Sequence, residues 1–267
     1  MTKLDPDPIH AQLALMWQPC VAIQCFESLA STNSYALSQV CRLHHWHVLV
    51  AETQTAGRGR LGRTWHSPRG ENIYLSLSWV LALSKEQQRG IASLSLVAGL
   101  SVVHVLQEIA PAICWQVKWP NDLWGNGHKV AGVLLESQSA GALLQLVLGL
   151  GLNVNGLDYS DIRRTPPASS LALLTGKAFD RNRLVAAVIN RFLTDYGQFM
   201  SEGLGSFQAR WEKVDALAGQ KLVFTFNNQQ ETGIARGINA TGQLLIERAE
   251  GSLVPYSVGE VQLQPQV

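Results

Sequence analysis

Four arginines fall at close spacing in residues 54–70, QTAGRGRLGRTWHSPRG, at Arg58, Arg60, Arg63 and Arg69, among four glycines and no acidic residue. Guanidinium forks hold phosphate or carboxylate oxygens two at a time, and successive glycine-containing turns can aim backbone N–H groups at the same anion. The chemistry this stretch can do is therefore to wrap a negatively charged ligand. Charge alone leaves two other readings open, a solvated basic loop and an RGG-like nucleic-acid segment. The position of the run between two apolar strands weighs against the second.

Further constellations follow along the chain. Lys118-Trp119-Pro120-Asn121-Asp122 reads as a strand end and a sharp turn. It sets a cation and a carboxylate a few residues apart, where Asp122 could hold Mg²⁺ beside nucleotide phosphates or could be a plain turn residue. Lys129 opens the strand K-V-A-G-V-L-L-E, either as a point charge for a carboxylate or phosphate or as an ordinary flanking lysine. Gly149 and Gly151, in G-L-G-L-N-V-N, mark close approach by a ligand or another backbone. Ser31-Thr32-Asn33 can cap a helix or hydrogen-bond a polar ligand head. His44, His45 and His47 are set aside as a metal cluster, because neighbouring histidines point in different directions.

Elements that could position these groups are legible in the apolar periodicity. Residues 31–44, 85–108, 180–200 and 206–217 predict helices. Residues 48–53 and 72–80 predict strands entering and leaving the arginine loop, 113–119 a strand ended by Pro120, and 130–138 with 143–153 a hairpin. Residues 157–168 predict a polar loop. From residue 220 the texture becomes short strands with turns between, a β module of about fifty residues that is marginal alone. The expected division is 1–217 and 218–267.

The 267 residues carry a net charge of +1. That argues against whole-surface binding to nucleic acid or membrane and makes the local basic run stand out. Four cysteines lack C-x-x-C pairing, and no signal peptide or spanning segment is evident, so a reduced cytoplasmic setting is expected.

Taken in order, S-T-N, E-T-Q-x-A-G-R-G-R-x-G-R-x-W, N-I-Y-L-S, K-W-P-N-D, K-V-A-G-V-L-L-E and G-L-G-L-N-V-N resemble the biotin–protein ligases, also called biotin–[acetyl-CoA-carboxylase] ligases. The resemblance runs from about residue 28 to 155. It implies an α/β (α+β) fold, a mixed sheet with helices related to class II aminoacyl-tRNA synthetases, and a small SH3-like C-terminal β-barrel. It implies activation of biotin by Mg·ATP to biotinyl-5′-AMP, then transfer to a lysine of a biotin carboxyl carrier domain with release of AMP. Such chemistry uses fixed cations rather than a protein nucleophile.

The resemblance further implies that Ser31, Thr32, Asn33 and Gln54 meet the biotin head. Gly57, Arg58, Arg60, Leu61, Gly62 and Arg63 correspond to the loop folding over biotin and adenylate, with Arg60 retaining the intermediate. Trp65 packs over the closed site, and Gly132 floors the biotin pocket. Lys129 meets the biotin carboxylate and α-phosphate. Lys118, Asn121 and Asp122 are nucleotide contacts, Asp122 also on Mg²⁺, and Asn153 is an adenine-side contact. The catalytic set is Arg60, Lys118 and Lys129. Homodimers pairing through sheet edges occur in the family. Thirty residues precede Ser31, too few for the helix-turn-helix of the bifunctional repressor-ligases, so no operator binding is expected. Residues 157–168 match no motif. The nearest rival, a lipoate–protein ligase or octanoyltransferase, lacks the G-R-G-R-x-G-R run as a rule.

Overall fold

A computed structural model describes residues 2–39, 43, 45–82, 90–140, 143–160, 162, 166–226, 229–257 and 260–263. Cys41, His44, residues 85–89 of the predicted second helix and parts of the 157–168 loop lie outside these residues.

Among the described residues, seven strands form a mixed sheet in the order β1-β2-β3-β7-β6-β5-β4. They are β1 Val21–Phe26, β2 Trp46–Ala51, β3 Ile73–Leu81, β4 Trp115–Lys118, β5 Asp122–Gly125, β6 His128–Ala140 and β7 Leu143–Leu152. β1 and β2 are parallel, so the chain crosses over between them through α2, Thr32–Ser38. The other pairings are antiparallel. Pairing of Ala140 with Leu143 closes the expected hairpin. A six-residue helix, α1 Pro6–Ala11, precedes the sheet.

Two long helices, α3 Leu94–Ile109 and α5 Arg181–Glu202, share one core with Leu75, Leu77, Trp79, Leu148 and Leu150 of the sheet. α3 is apolar nearly all round, as a helix held between a sheet and another helix must be. The stretch Ile91–Ile109 is long and apolar enough to cross a membrane, yet 72% of its most apolar window is buried in the protein. Asp180 caps α5 by accepting from the Asn182 and Arg183 amides, and Gly203, at φ 73°, ends it.

Asp195 on α5 is buried and accepts from Ser101 on α3, Arg191, and Arg210 on the short helix α6, Gln208–Glu212. Burial opposes its charge, but the bonds from Arg210, Arg191 and Ser101 prevail and hold the carboxyl below its usual range. A second buried pair, Arg181 and Glu52, ties the N-terminal segment down. Arg181 donates to Glu52, to the Asn72 carbonyl and to the Thr2 carbonyl, while Glu52 accepts from the Leu4 amide.

Several expectations are corrected. The helix expected over 31–44 stops at Ser38, because Gln39 is extended and Gln145 of β7 donates to the carbonyls of Ala36 and Gln39 that a longer helix would use. The helix expected over 206–217 is a 3₁₀ turn, Leu204–Phe207, followed by α6. Residues 214–217 instead flank β4, with Val117 donating to the Val214 carbonyl and Ala216 donating to the Val117 carbonyl. β1 and β5 and the five-residue helix α4, Leu171–Thr175, are elements the sequence reading passed over.

β8 Lys221–Phe226, β9 Gln229–Ile238, β10 Leu244–Glu247, β11 Leu253–Tyr256 and β12 Glu260–Leu263 form a separate antiparallel sheet in the order β11-β10-β9-β8-β12. It is fastened to the larger sheet by Trp119, whose indole Nε1 donates to the Gly242 carbonyl at 3.0 Å.

Candidate active site

Register builds the floor of the site. Gly132 of β6 lies opposite Gly151 of β7 and Asp122 of β5, and Gly151 lies opposite Tyr74 of β3. The next row on the same face is Leu134, Gly149 and Ser76. Glycine is required here by space. A Cβ on Gly149 would overlap the Asn33 amide, and one on Gly151 would overlap the Trp65 indole. The floor thus admits side chains from above, from α2 and from the arginine loop.

α2 delivers one wall. Ser31 is its N-cap, accepting from the Ser34 amide, so the capping reading holds. Thr32 and Asn33 are buried, and both are tied to Ser76, whose Oγ lies 2.8 Å from Thr32 Oγ1 and 2.6 Å from Asn33 Oδ1. Gln54 accepts from the Thr32 amide at 2.9 Å and donates to Ser67 Oγ.

The arginine loop is a narrow hairpin. Trp65 donates to the Gly57 carbonyl and Gly59 to the Arg63 carbonyl, with Arg58 bridged to Thr64. Its tip is a 3₁₀ turn at Arg60–Gly62, where Leu61 takes φ 56° and is 68% exposed. Its base is held by Thr55 and Ala56 donating to the carbonyls of Leu29 and Ala30. Gly57 sits buried at that base, where a Cβ would come within 2.6 Å of the Trp65 carbonyl.

The K-W-P-N-D run joins β4 to β5 through a cis Trp119–Pro120 peptide. Asn121 is fixed by its amide donating to the Val133 carbonyl. Asp122 opens β5 and is ion-paired with Lys129. Lys118 stands over the Trp124 ring and Lys129 over the Trp65 ring, at 5.9 and 5.5 Å from the centroids. Arg60 donates a long bond to Asn121 Oδ1, 3.4 Å. Burial lowers its guanidinium below the usual value, Asp122 opposing that and Arg63 adding to it. A cation held in such surroundings is stabilised by any anion that enters.

These walls enclose a cavity of about 120 Å³. Ser31, Thr32, Asn33 and Gln54 line one side, Arg58, Arg60, Leu61, Arg63 and Trp65 the roof, and Lys118, Asn121, Asp122, Lys129 and Gly132 the far side. Gly62 lies on the outer face of the loop. Asn153 is placed apart, buried, with its amide donating to the Ser169 carbonyl behind Lys129. Drug-sized ligand pockets run to several hundred Å³, and an adjoining groove of about 540 Å³ shares Arg60, Asn121, Val133 and Leu134 with this cavity. Trp65 occupies part of the space, and its indole Nε1 is buried with no hydrogen-bond partner.

The sequence reading missed Ser76, Ser67 and Glu136, which hold lining side chains from behind, and the apolar wall of Leu75, Val133, Leu134 and Leu150. Their signals were polar residues interrupting apolar strands, and strand parity. Trp65 and Gly151 supply a direct check of the closed arrangement. Gly151→Ala is expected to cost about 1–3 kcal/mol through overpacking. The cost should vanish in a Trp65→Ala background; an undiminished cost in denaturant melts would place the clash elsewhere.

Fold and cavity together set a hydroxyl and amide wall opposite a cluster of cations in an α/β protein. Residues 25–153 match the Biotin/lipoate A/B protein ligase family, and residues 219–264 match the Biotin protein ligase C terminal domain. The chain belongs to the biotin protein ligases of that family. It is 34% identical to the Bifunctional ligase/repressor BirA of Salmonella typhimurium, over 98% of this chain and 78% of that protein. It is 32% identical to the Biotin--[acetyl-CoA-carboxylase] ligase of Paracoccus denitrificans, over 84% and 93%. The structure of the biotin protein ligase from Aquifex aeolicus in complex with biotin and ATP superposes with a TM-score of 0.77 at 29% identity, covering 91% of this chain and 99% of that one.

Proposed function

We propose that this protein is an ATP-dependent biotin–protein ligase that forms biotinyl-5′-AMP and transfers biotin to a lysine of a biotin carboxyl carrier protein or domain. The observation that carries the reading is the convergence, in one cavity, of a buried hydroxyl and amide wall with Arg58, Arg60, Arg63, Lys118 and Lys129. The ureido head of biotin offers donors and an acceptor to Ser31, Thr32, Asn33 and Gln54. The glycine floor at Gly132 and Gly151 takes the apolar body.

In the first step a biotin carboxylate oxygen attacks the α-phosphorus of ATP and pyrophosphate leaves. Lys129 and the loop arginines hold the carboxylate and phosphate oxygens together and offset the charge that builds between them. In the second step a lysine amine attacks the acyl carbon, loses a proton, and AMP leaves. Arg60 and Trp65 keep the mixed anhydride covered until then.

Mg²⁺ usually keeps several waters and binds through one or two carboxylates plus nucleotide phosphates. Asp122, with Asn121 beside it in the cavity wall, fits that donor set. When bound, the ion offsets phosphate charge. Asn153 acts on the adenine side, through the segment it holds at Ser169. Residues 1–217 form the catalytic unit and 218–267 the C-terminal one. The reading includes a cytoplasmic setting, consistent with free Cys20, Cys25 and Cys114.

Biotin-dependent ATP–pyrophosphate exchange, followed by streptavidin detection of a carrier fragment, tests the reading. Exchange with lipoate and none with biotin would overturn it. Arg60→Gly is expected to release the adenylate and label lysines of unrelated proteins, because the tip loses its cation and its bond to Asn121. Retention of the adenylate by this variant at the original rate would remove Arg60 from that role.

A further inference from the structure

The hydroxyl and amide wall is held from behind by Ser76 of β3, a fully buried side chain. Its Oγ lies 2.6 Å from Asn33 Oδ1 and 2.8 Å from Thr32 Oγ1. A hydroxyl has one proton and an amide oxygen has none, which fixes the direction of each bond.

Asn33 is oriented by its other partners. Its Nδ2 donates to the Leu134 carbonyl at 3.2 Å and to Glu136 Oε2 at 2.9 Å, two acceptors that an amide oxygen could not meet. Oδ1 is therefore the atom turned to Ser76, and it takes the Ser76 proton. Gln54 is oriented in the same way. Its Oε1 accepts from the Thr32 amide at 2.9 Å, and its Nε2 donates to Ser67 Oγ. The Thr32 hydroxyl then has two oxygens beside it in the wall, Ser76 Oγ at 2.8 Å and Gln54 Oε1 at 3.2 Å. Because the Ser76 proton is spent on Asn33, the shorter contact is a bond only if Thr32 donates. Whichever oxygen takes it, the Thr32 proton stays inside the wall.

Thr32 and Asn33 both line the cavity. With its proton committed, Thr32 meets a ligand with lone pairs alone. With both amide hydrogens committed, Asn33 meets it with an oxygen alone. At these two residues the wall accepts and does not donate. A ring that brings an N–H fits this face. The same ring with oxygen at that place sets lone pair against lone pair in a buried site.

We propose that Ser76 is a positioning residue that sets the donor and acceptor polarity of the head pocket, and so makes the pocket selective for a ring N–H over an isosteric ring oxygen. The identity of that ring as the ureido head of biotin rests on the function proposed above.

Biotin and its two cyclic carbamate isosteres, each with one ring N–H replaced by oxygen, serve as probes in ATP–pyrophosphate exchange. The wild type is expected to favour biotin over the isostere whose oxygen faces Thr32 by about 10²-fold in kcat/KM. In Ser76→Ala the Thr32 hydroxyl can turn and donate to that oxygen, so the preference should shrink about tenfold. KM for biotin should rise about fivefold with kcat within about twofold, the split expected when ground-state binding is loosened. Ser76→Cys keeps a weak donor and should fall between the two, and it carries the test should Ser76→Ala fold poorly. In Thr32→Val the preference should collapse, and adding Ser76→Ala should change it no further, which a packing defect at Ser76 would not do. A wild type that takes the isostere as readily as biotin, or a preference kept in full by both Ser76 variants at unchanged Tm, overturns the proposal. Absence of exchange with biotin in the wild type instead removes the function proposed above, a failure told apart because in the other the wild type reacts.

Discussion

Lys129→Ala is expected to lose biotin-dependent ATP–pyrophosphate exchange by about 10²–10³-fold, the range seen when one fixed electrostatic donor is removed from a reacting site. Lys129 is placed without freedom to wander. Its amide donates to the Pro167 carbonyl and its own carbonyl accepts from the Ser169 amide, so both faces of its backbone are held. Its ammonium lies between Asp122 and the Trp65 ring, with the side chain 12% exposed. Truncation removes the cation and leaves the strand in place. It also leaves Asp122 to repel an incoming carboxylate, a second effect that must be separated from the first. Adding Asp122→Asn to Lys129→Ala removes the repulsion. Compared with Asp122→Asn alone, which carries whatever the proposed Mg²⁺ position contributes, the double variant is expected to fall by the same factor of about 10²–10³ if the cation itself carries the reaction. Exchange in Lys129→Ala within threefold of wild type would show that the charge is supplied elsewhere.

Arg181→Ala is expected to lower stability by about 3–5 kcal/mol, as breaking one side of a buried ion pair does, and Tm on the order of 10 °C. The side chains of Arg181 and Glu52 are 2% and 6% exposed. The guanidinium bridges four chain segments, the ends of β2 and β3, the head of α5 and the N-terminal arm at Thr2. Its loss strands the Glu52 carboxylate and two carbonyls in the interior. Adding Glu52→Met to Arg181→Met should recover part of the loss, because no charge is then left unpaired, but not all of it, because the Leu4 amide and the Thr2 and Asn72 carbonyls still lose partners. Calorimetry of the single and double variants measures this; full additivity of the two losses would mean that the pair does not act as one.

What the sequence made legible was whatever local composition encodes. The arginine run, the K-W-P-N-D turn, Lys129 and the β6–β7 hairpin lie close to where spacing placed them, because each is specified by residues adjacent in the chain. What stayed hidden depends on pairing between distant segments. β1 is an ordinary six-residue apolar run whose role is set by its parallel partner, β2. The early end of α2 is imposed by Gln145, 109 residues away from the carbonyl of Ala36. Glu136 reads as the first of the polar residues at the end of a strand until the fold sets Arg58 against it. The loop illustrates the same division. Its glycines and charge mark a loop, and the bonds across it from Gly57 to Trp65 give that loop the form of a hairpin. Asn153, expected at the nucleotide, is held by Ser169 and lies outside the cavity lining.

The bond from Trp119 to the Gly242 carbonyl gives the smaller sheet a hold on residues far from it in sequence. Gly242 has φ 80°, and a Cβ there would meet Ser93 and Leu96 of the larger sheet's helical layer within 3.0 Å. The turn at 239–243 is therefore not free to drift as surface turns usually are. Its backbone is shaped to fit beneath the residue that precedes Pro120, Asn121 and Asp122. A substitution at Gly242 in the outlying sheet is therefore felt at Trp119, next to the turn that carries Asn121 and Asp122.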